Sequence, residues 1–335
     1  MQQLSVPSLA DRSPAMTAAE IAGSLVPPRQ FEDATLDNYV PDADYPSQAR
    51  AVEKVRAFAA AWTSPRGMFA KKPPPTKPGI YLDGGFGVGK THLLAALWKL
   101  APGRTYFGTF IEYTALVGAL GYASTVKLLT GASFLAIDEF ELDDPGDTMI
   151  MTRLLGELVD SGTRIAATSN TPPNALGEGR FAAADFLREI TALSDRFDTV
   201  RIDGLDYRRR EIEGHAISLD EAEFAAAITD AASQGDVTAD PLDGILKHLS
   251  NVHPSRYVKL VEGLSAMGID GVRVLTDQTE ALRFVALVDR LYDEQVRVFA
   301  TGVPLDGVFG DDMLAGGYRK KYLRAVSRLI ALTSG

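Results

Sequence analysis

The stretch Gly84-Gly85-Phe86-Gly87-Val88-Gly89-Lys90-Thr91 decides the fold. It reads G-x-x-x-x-G-K-T, the pattern of a loop that cradles the phosphates of a nucleoside triphosphate. The chemistry dictates these residue types. Glycines let the backbone curl so that successive N–H groups converge on one anion. A helix starting at the end of the loop adds its positive pole. Lys90 is expected to reach the β- and γ-phosphates, and Thr91 to offer its hydroxyl to Mg2+. The flanks agree. Gly79-Ile80-Tyr81-Leu82 reads as a buried strand, and His92 to Trp98 as an amphipathic helix. Residues 84–91 and the adjoining His92 are therefore the expected contacts of bound ATP.

Outward from the loop, apolar strand-like runs recur at Gly79–Leu82, Thr105–Phe110, Ser133–Ile137, Arg164–Thr168 and Thr199–Ile202. Helical patterns lie between them. That alternation predicts an α/β fold with a parallel sheet and helices on both faces. Upstream, Ser47 to Trp62 reads as a helix capped by Ser47. The proline-dense run 71–78 reads as a loop. Residues 1–25 are polar and are expected to form a flexible segment, with one short helix near Thr17–Leu25. Beyond Ile212 helical patterns dominate, at 219–233, 240–249, 255–264, 278–299 and 318–333. One strand-like run, 271–276, interrupts them. The expected division is a nucleotide-binding core over 26–210 and a mostly helical lid over 211–335.

Two further strands end in reactive side chains. Phe134 to Ile137 runs into Asp138 and Glu139. A buried strand delivers such carboxylates to the sheet edge beside the phosphate loop. Asp138 is expected to hold Mg2+, and Glu139 to orient and deprotonate the attacking water. Ala166-Ala167-Thr168-Ser169 ends in Asn170, which can hydrogen-bond that water or the γ-phosphate. This is the first sensor position of the AAA+ class of ATPases. Arg196 and Arg180 are the candidates for an arginine that crosses a subunit interface and stabilises the neighbour's γ-phosphate. Arg283 is a candidate second sensor on a lid helix.

The bulk properties narrow the function. The chain has 335 residues, 46% hydrophobic, with a net charge of −10. An acidic chain gains no general attraction to nucleic acid or to anionic membranes. The runs Arg208-Arg209-Arg210 and Arg319-Lys320-Lys321 read as solvated faces or salt-bridge partners. There is no cysteine, so disulfides and cysteine-ligated zinc are excluded. His92, His215, His248 and His253 show no metal-ligand spacing. No apolar run suffices to span a membrane, and neither a secretory signal nor a transit peptide is visible, which fits a cytoplasmic protein.

The motifs also resemble a particular family, the ZapE-like cell-division ATPases with their mitochondrial branch, the lactation-elevated ATPases. The resemblance runs from about residue 26 to the end. Asp138-Glu139-Phe140 followed by Asp144, Asp147 and Met149-Ile150 is similar to its D-E-F-x-x-x-D-x-x-D-x-M-I. Thr168-Ser169-Asn170-Thr171-Pro172-Pro173 and Asp206-Tyr207-Arg208 look like its T-S-N-x-P-P and D-Y-R. Arg283-Phe284, Leu287-Val288-Asp289 and Ser327-Arg328-Leu329 match its lid signatures. Val26-Pro27-Pro28-Arg29 and Pro46-Ser47-Gln48 match near the start. Three places depart. Val88 stands where the family has arginine, His92-Leu93-Leu94 is more like replication initiators and helicase loaders, and Tyr106 to Phe110 lacks the family's histidines. The resemblance implies Mg2+-dependent ATP hydrolysis by a ring-forming homo-oligomer acting on a protein client, with division-ring components among the partners. A helicase loader is the alternative, and a scaffold that binds ATP without turnover is a third reading, against which Glu139 and Asn170 argue.

Overall fold

All five strands expected around the loop form, and they lie in one parallel sheet. They are β1 (Gly79–Gly84), β2 (Thr105–Thr109), β3 (Phe134–Asp138), β4 (Arg164–Ser169) and β5 (Phe197–Ile202), in the order β2-β3-β4-β1-β5. The computed structural model describes residues 6–12, 17–63, 77–85, 87–142, 145–173, 176, 191–192, 194–205, 214–252 and 254–334. The chain divides into two compact units, Thr17–Arg209 and Arg210–Gly335 together with Met1–Met16.

In the first unit β1 lies inside the sheet between β4 and β5 and is buried along its whole length. Ile80 and Leu82 share a core with Leu93, Leu94 and Leu97 of α3 (Lys90–Leu100) and with Ala51, Val55 and Phe58 of α2 (Pro46–Thr63). Ala136 and Ala166 are small, fully buried members of the same core. Side chains without bulk let a helix lie close to a sheet. Ser47 does not act as the expected cap. Pro46 begins α2, as proline suits a first turn, and the Ser47 hydroxyl accepts the Asp203 N–H at 2.9 Å. Gln48 donates to the Asp203 carbonyl at 2.9 Å. These two residues of the Pro46-Ser47-Gln48 match tie α2 to the chain leaving β5.

The second unit keeps the expected predominance of helices but adds a sheet where one strand-like run, 271–276, was expected. It holds a second parallel sheet, β6 (Asp236–Pro241), β7 (Leu264–Val272) and β8 (Arg297–Gly302), in that order. The apolar run 278–299 is one helix in periodicity but two elements in space. Its helix, Gln278–Asp293, stops where Gln295 takes φ 55°, and the Val296 N–H then donates to the Leu291 carbonyl at 2.9 Å. That left-handed turn redirects the chain into β8. Asp289 on this helix binds Arg324 at 2.7 Å and also Arg328, both on the helix Arg319–Thr333. The residues of the lid signatures thus staple two helices together.

Within the expected flexible segment, the described residues 6–12 are packed in place. Leu9 is fully buried in the core of the second unit. Asp240 accepts the Leu9 N–H at 2.7 Å and the Ser8 hydroxyl, and the Ala239 N–H donates to the Pro7 carbonyl at 3.3 Å. The segment covers the open edge of β6, which would otherwise expose unpaired backbone groups. The helix Ala18–Gly23 belongs to the first unit, capped by Thr17 and Glu20. Among the described residues no helix is long and apolar enough to cross a membrane.

Candidate nucleotide site

The parallel registers bring the functional ends together. Asp83 pairs with Ser169 and Ile137 with Ala167, so the loop after β1, the acids ending β3 and Asn170 after β4 meet at one sheet edge. The loop geometry follows from its glycines. A Cβ at Gly84 would lie 2.2 Å from the Ile202 carbonyl oxygen of β5. Gly89 takes φ 80° and stands immediately before α3. Phe86 lies outside the described residues.

Lys90 is 9% exposed and folds back over the loop. Its ammonium donates to the Gly84 carbonyl at 2.9 Å, the Gly85 carbonyl at 2.5 Å and the Asn170 side-chain oxygen at 2.9 Å. The Thr91 hydroxyl lies 3.1 and 3.2 Å from the two oxygens of Asp138. Thr168 joins the two acids. Its hydroxyl donates to Asp138 and accepts the Glu139 N–H at 3.1 Å. Glu139 itself sits at φ 53°, a strained conformation for a residue with a Cβ. Asp138 is 7% exposed. Burial pushes its carboxyl above the usual carboxylate range and the neighbouring Glu139 adds to this, against the opposing pull of Thr168, Thr91 and Lys90.

One carboxylate and one hydroxyl, side by side, suit a hard cation that takes its other oxygens from water and substrate phosphates. Among the described residues no cluster of three or more acids and histidines forms an all-protein metal cage. A buried carboxylate shifted toward its neutral form is also a seat that a cation would relieve.

Within its own unit, Arg196 is not brought to this site. Arg196 immediately precedes β5, and its backbone carbonyl accepts the Gly79 N–H at 3.1 Å, at the start of β1. It therefore stands at the opposite edge of its own sheet from the loop, about 17 Å away at 3.3 Å per residue. Its side chain binds Asp160 at 3.2 Å. Arg180 lies outside the described residues. Arg283 is half-buried on the helix Gln278–Asp293 of the second unit.

Sequence reasoning missed Tyr39 and assigned Thr168 no task. The Tyr39 hydroxyl donates to the Val88 carbonyl at 2.7 Å, and its ring meets His92 edge-on at 5.6 Å. His92 turns away from the loop toward the Thr35 carbonyl, 2.8 Å from Nε2. Thr168 was visible as the residue two before Asn170. Nothing near Tyr39 in sequence announces its partner.

Comparison with known proteins finds a family and distant relatives. A family model described as AFG1-like ATPase matches residues 16–239 and 238–335. The cell division protein ZapE of Escherichia coli K12 is 27% identical over 298 residues, covering 76% of this chain and 78% of that protein. Lactation elevated protein 1 homolog B of Danio rerio is 24% identical over 301 residues, covering 74% of this chain and 60% of that protein. Domain III of the Thermotoga maritima replication initiation protein DnaA aligns with TM-score 0.40 and 17% identity, over 78% of this chain and 85% of that one.

Proposed function

The chain belongs to the AFG1-like ATPase family and is an ATP hydrolase of the AAA+ P-loop type, and from that premise we propose how its residues divide the work. Residues 84–91 hold the nucleotide, and His92, whose side chain faces Thr35, joins them only through its backbone N–H at the helix start. Thr91 and Asp138 hold Mg2+, which when bound neutralises charge on the β- and γ-phosphate oxygens. Lys90 leaves its carbonyl partners for the phosphates. Glu139 takes a proton from the attacking water as its oxygen bonds to the γ-phosphorus. The bond to the β–γ bridging oxygen breaks, giving ADP and inorganic phosphate. Asn170 orients that water, and Thr168 holds the two acids in register.

Arg196 acts in trans, at the loop of a second copy. Its position at the far edge of its own sheet supports this, since about 17 Å exceeds the reach of one side chain. Arg180 is the alternative finger. The site is then complete only in a homo-oligomer, for which a ring is the natural closure. The client is a cytoplasmic protein assembly in cell division, as the printed name of the Escherichia coli relative suggests. The net charge of −10 disfavours a nucleic-acid client.

The observation that carries the reading is the network Thr91–Asp138–Thr168–Glu139 beside Lys90. Glu139→Gln should keep ATP binding and cut turnover by about two to three orders of magnitude, as for loss of a positioned base. Lys90→Ala should abolish tight binding. Unchanged turnover in the Gln variant removes Glu139 from the mechanism. Sedimentation of division-ring polymer with and without ATP tests the client, and steeply salt-dependent DNA binding with no effect on polymer would favour a helicase loader instead.

A further inference from the structure

The phosphate loop is gripped by a segment upstream of it, with Tyr39 standing 49 residues before its partner Val88. The Tyr39 hydroxyl donates to the Val88 carbonyl at 2.7 Å. The Tyr39 ring lies where a side chain on Gly89 would begin, with Cε2 only 2.4 Å from the position of a Cβ there. The ring meets His92 edge-on at 5.6 Å, and His92 is held by the Thr35 carbonyl at 2.8 Å. The loop and the first turn of α3 are thus fixed at three points by residues 35–39.

The bond to Val88 has a specific consequence. In a trans peptide unit the C=O and the following N–H point in opposite directions. Gly89 has no side chain to restrict its φ and ψ, so the Val88–Gly89 plane could otherwise rotate. With the Val88 oxygen turned to Tyr39, the Gly89 N–H faces the opposite side of that peptide plane, away from Tyr39. N–H groups aimed inward are what such a loop offers to phosphate.

We propose that Tyr39 is a positioning residue for nucleotide binding, presetting the Gly89 N–H toward the phosphates through its hydroxyl bond to Val88. The inference rests on the reading of residues 84–91 as the ATP loop. It assigns Gly89 a second requirement beyond its positive φ, which is to leave room for the Tyr39 ring. It also explains why residues 35–39 lie against the loop. Burial raises the Tyr39 hydroxyl to about 12, so it remains a donor throughout the working pH range.

The aligned N–H serves ground state and transition state alike, so its loss should appear in binding and not in the chemical step. Tyr39→Phe keeps the ring and removes the hydroxyl. It should raise KM for ATP and Kd for ADP by about the same factor, roughly tenfold for one charge-assisted hydrogen bond, with kcat within about twofold. Tyr39→Ala, which loses the ring as well, should bind more weakly still. Tyr39→Phe with unchanged ADP affinity overturns the proposal, and so does a fall in kcat at unchanged KM. Should Tyr39→Ala fail to fold, the Phe variant alone decides. Lys90→Ala measured alongside separates the two readings. If it binds nucleotide normally, the loop assignment is wrong. If it fails to bind while Tyr39→Phe matches the wild type, only the positioning role falls.

Discussion

Asp138 and Asp289 are both largely buried aspartates, one in each unit, and their surroundings push them in opposite directions. Asp138, 7% exposed, has two hydroxyls and a neighbouring acid for company, and burial drives its carboxyl up. Asp289, 17% exposed at its side chain, sits between Arg324 and Arg328. Its carboxyl is held below the usual range by those guanidiniums, with Arg290 adding to them, despite burial. Two cations on one carboxylate make a staple that spends the charge within the fold. A carboxylate buried with hydroxyls keeps its charge only partly compensated, and that is an invitation to a cation from outside. The same residue type is thus structural in one unit and chemical in the other, and the difference is the neighbour set.

Asp138→Asn should break the comparison most visibly. Without nucleotide the variant should melt at a higher temperature than the wild type, because a poorly compensated buried charge is gone. Turnover should nonetheless fall by about two to three orders of magnitude, the scale of several kcal/mol of lost metal stabilisation. Steady-state ATPase assays and thermal melts of the same preparation check both halves. A lower melting temperature in the absence of nucleotide would make Asp138 a structural residue like Asp289.

Asp289→Asn should do the reverse. Removing the carboxylate takes away the charge that Arg324 and Arg328 share, so stability should drop by about 3 kcal/mol, near the low end for breaking a buried ion pair. Chemical denaturation followed by near-ultraviolet circular dichroism would measure it. Wild-type stability in Asp289→Asn would mean that the shared carboxylate contributes little, and the staple reading would fail.

The first unit was far more legible in sequence than the second. Gly84 to Thr91, Asp138-Glu139 and Asn170 announce themselves because each strand end carries its chemistry within a few residues of its own apolar run. The second sheet was hidden by local ambiguity. Residues 278–299 keep helical spacing through a turn at Gln295, where the left-handed position carries no glycine to mark it. Leu9 was hidden by its polar surroundings, since one leucine gives no periodicity, and its pocket lies more than 230 residues away. Tyr39 was hidden for the same reason. Its partner Val88 is 49 residues on, and only folding brings them together.

The smallest effect sharpens the comparison through its sign. A carboxylate whose folded value is raised contributes stability below its ordinary value of 3.8 and loses it as pH rises through the raised value. Asp138 is that case. A carboxylate whose folded value is lowered contributes stability above 3.8 and loses it as pH falls through the depressed value. Asp289 is that case. Consider melts without nucleotide from about pH 4.5 to about pH 7.5, a window that lies above the ordinary carboxylate range. The advantage of Asp138→Asn over wild type should grow as pH rises, because the unfolded carboxyl is ionised there while burial resists its ionisation in the fold. The deficit of Asp289→Asn should stay nearly constant, because the wild-type carboxylate is already ionised and paired throughout. The two difference curves therefore separate by slope as well as by sign. A flat curve for Asp138→Asn would mean that Lys90, Thr91 and Thr168 already compensate the charge, leaving little for a cation to relieve. A sloping curve for Asp289→Asn would mean that its two arginines do not hold the carboxylate as tightly as their placement implies.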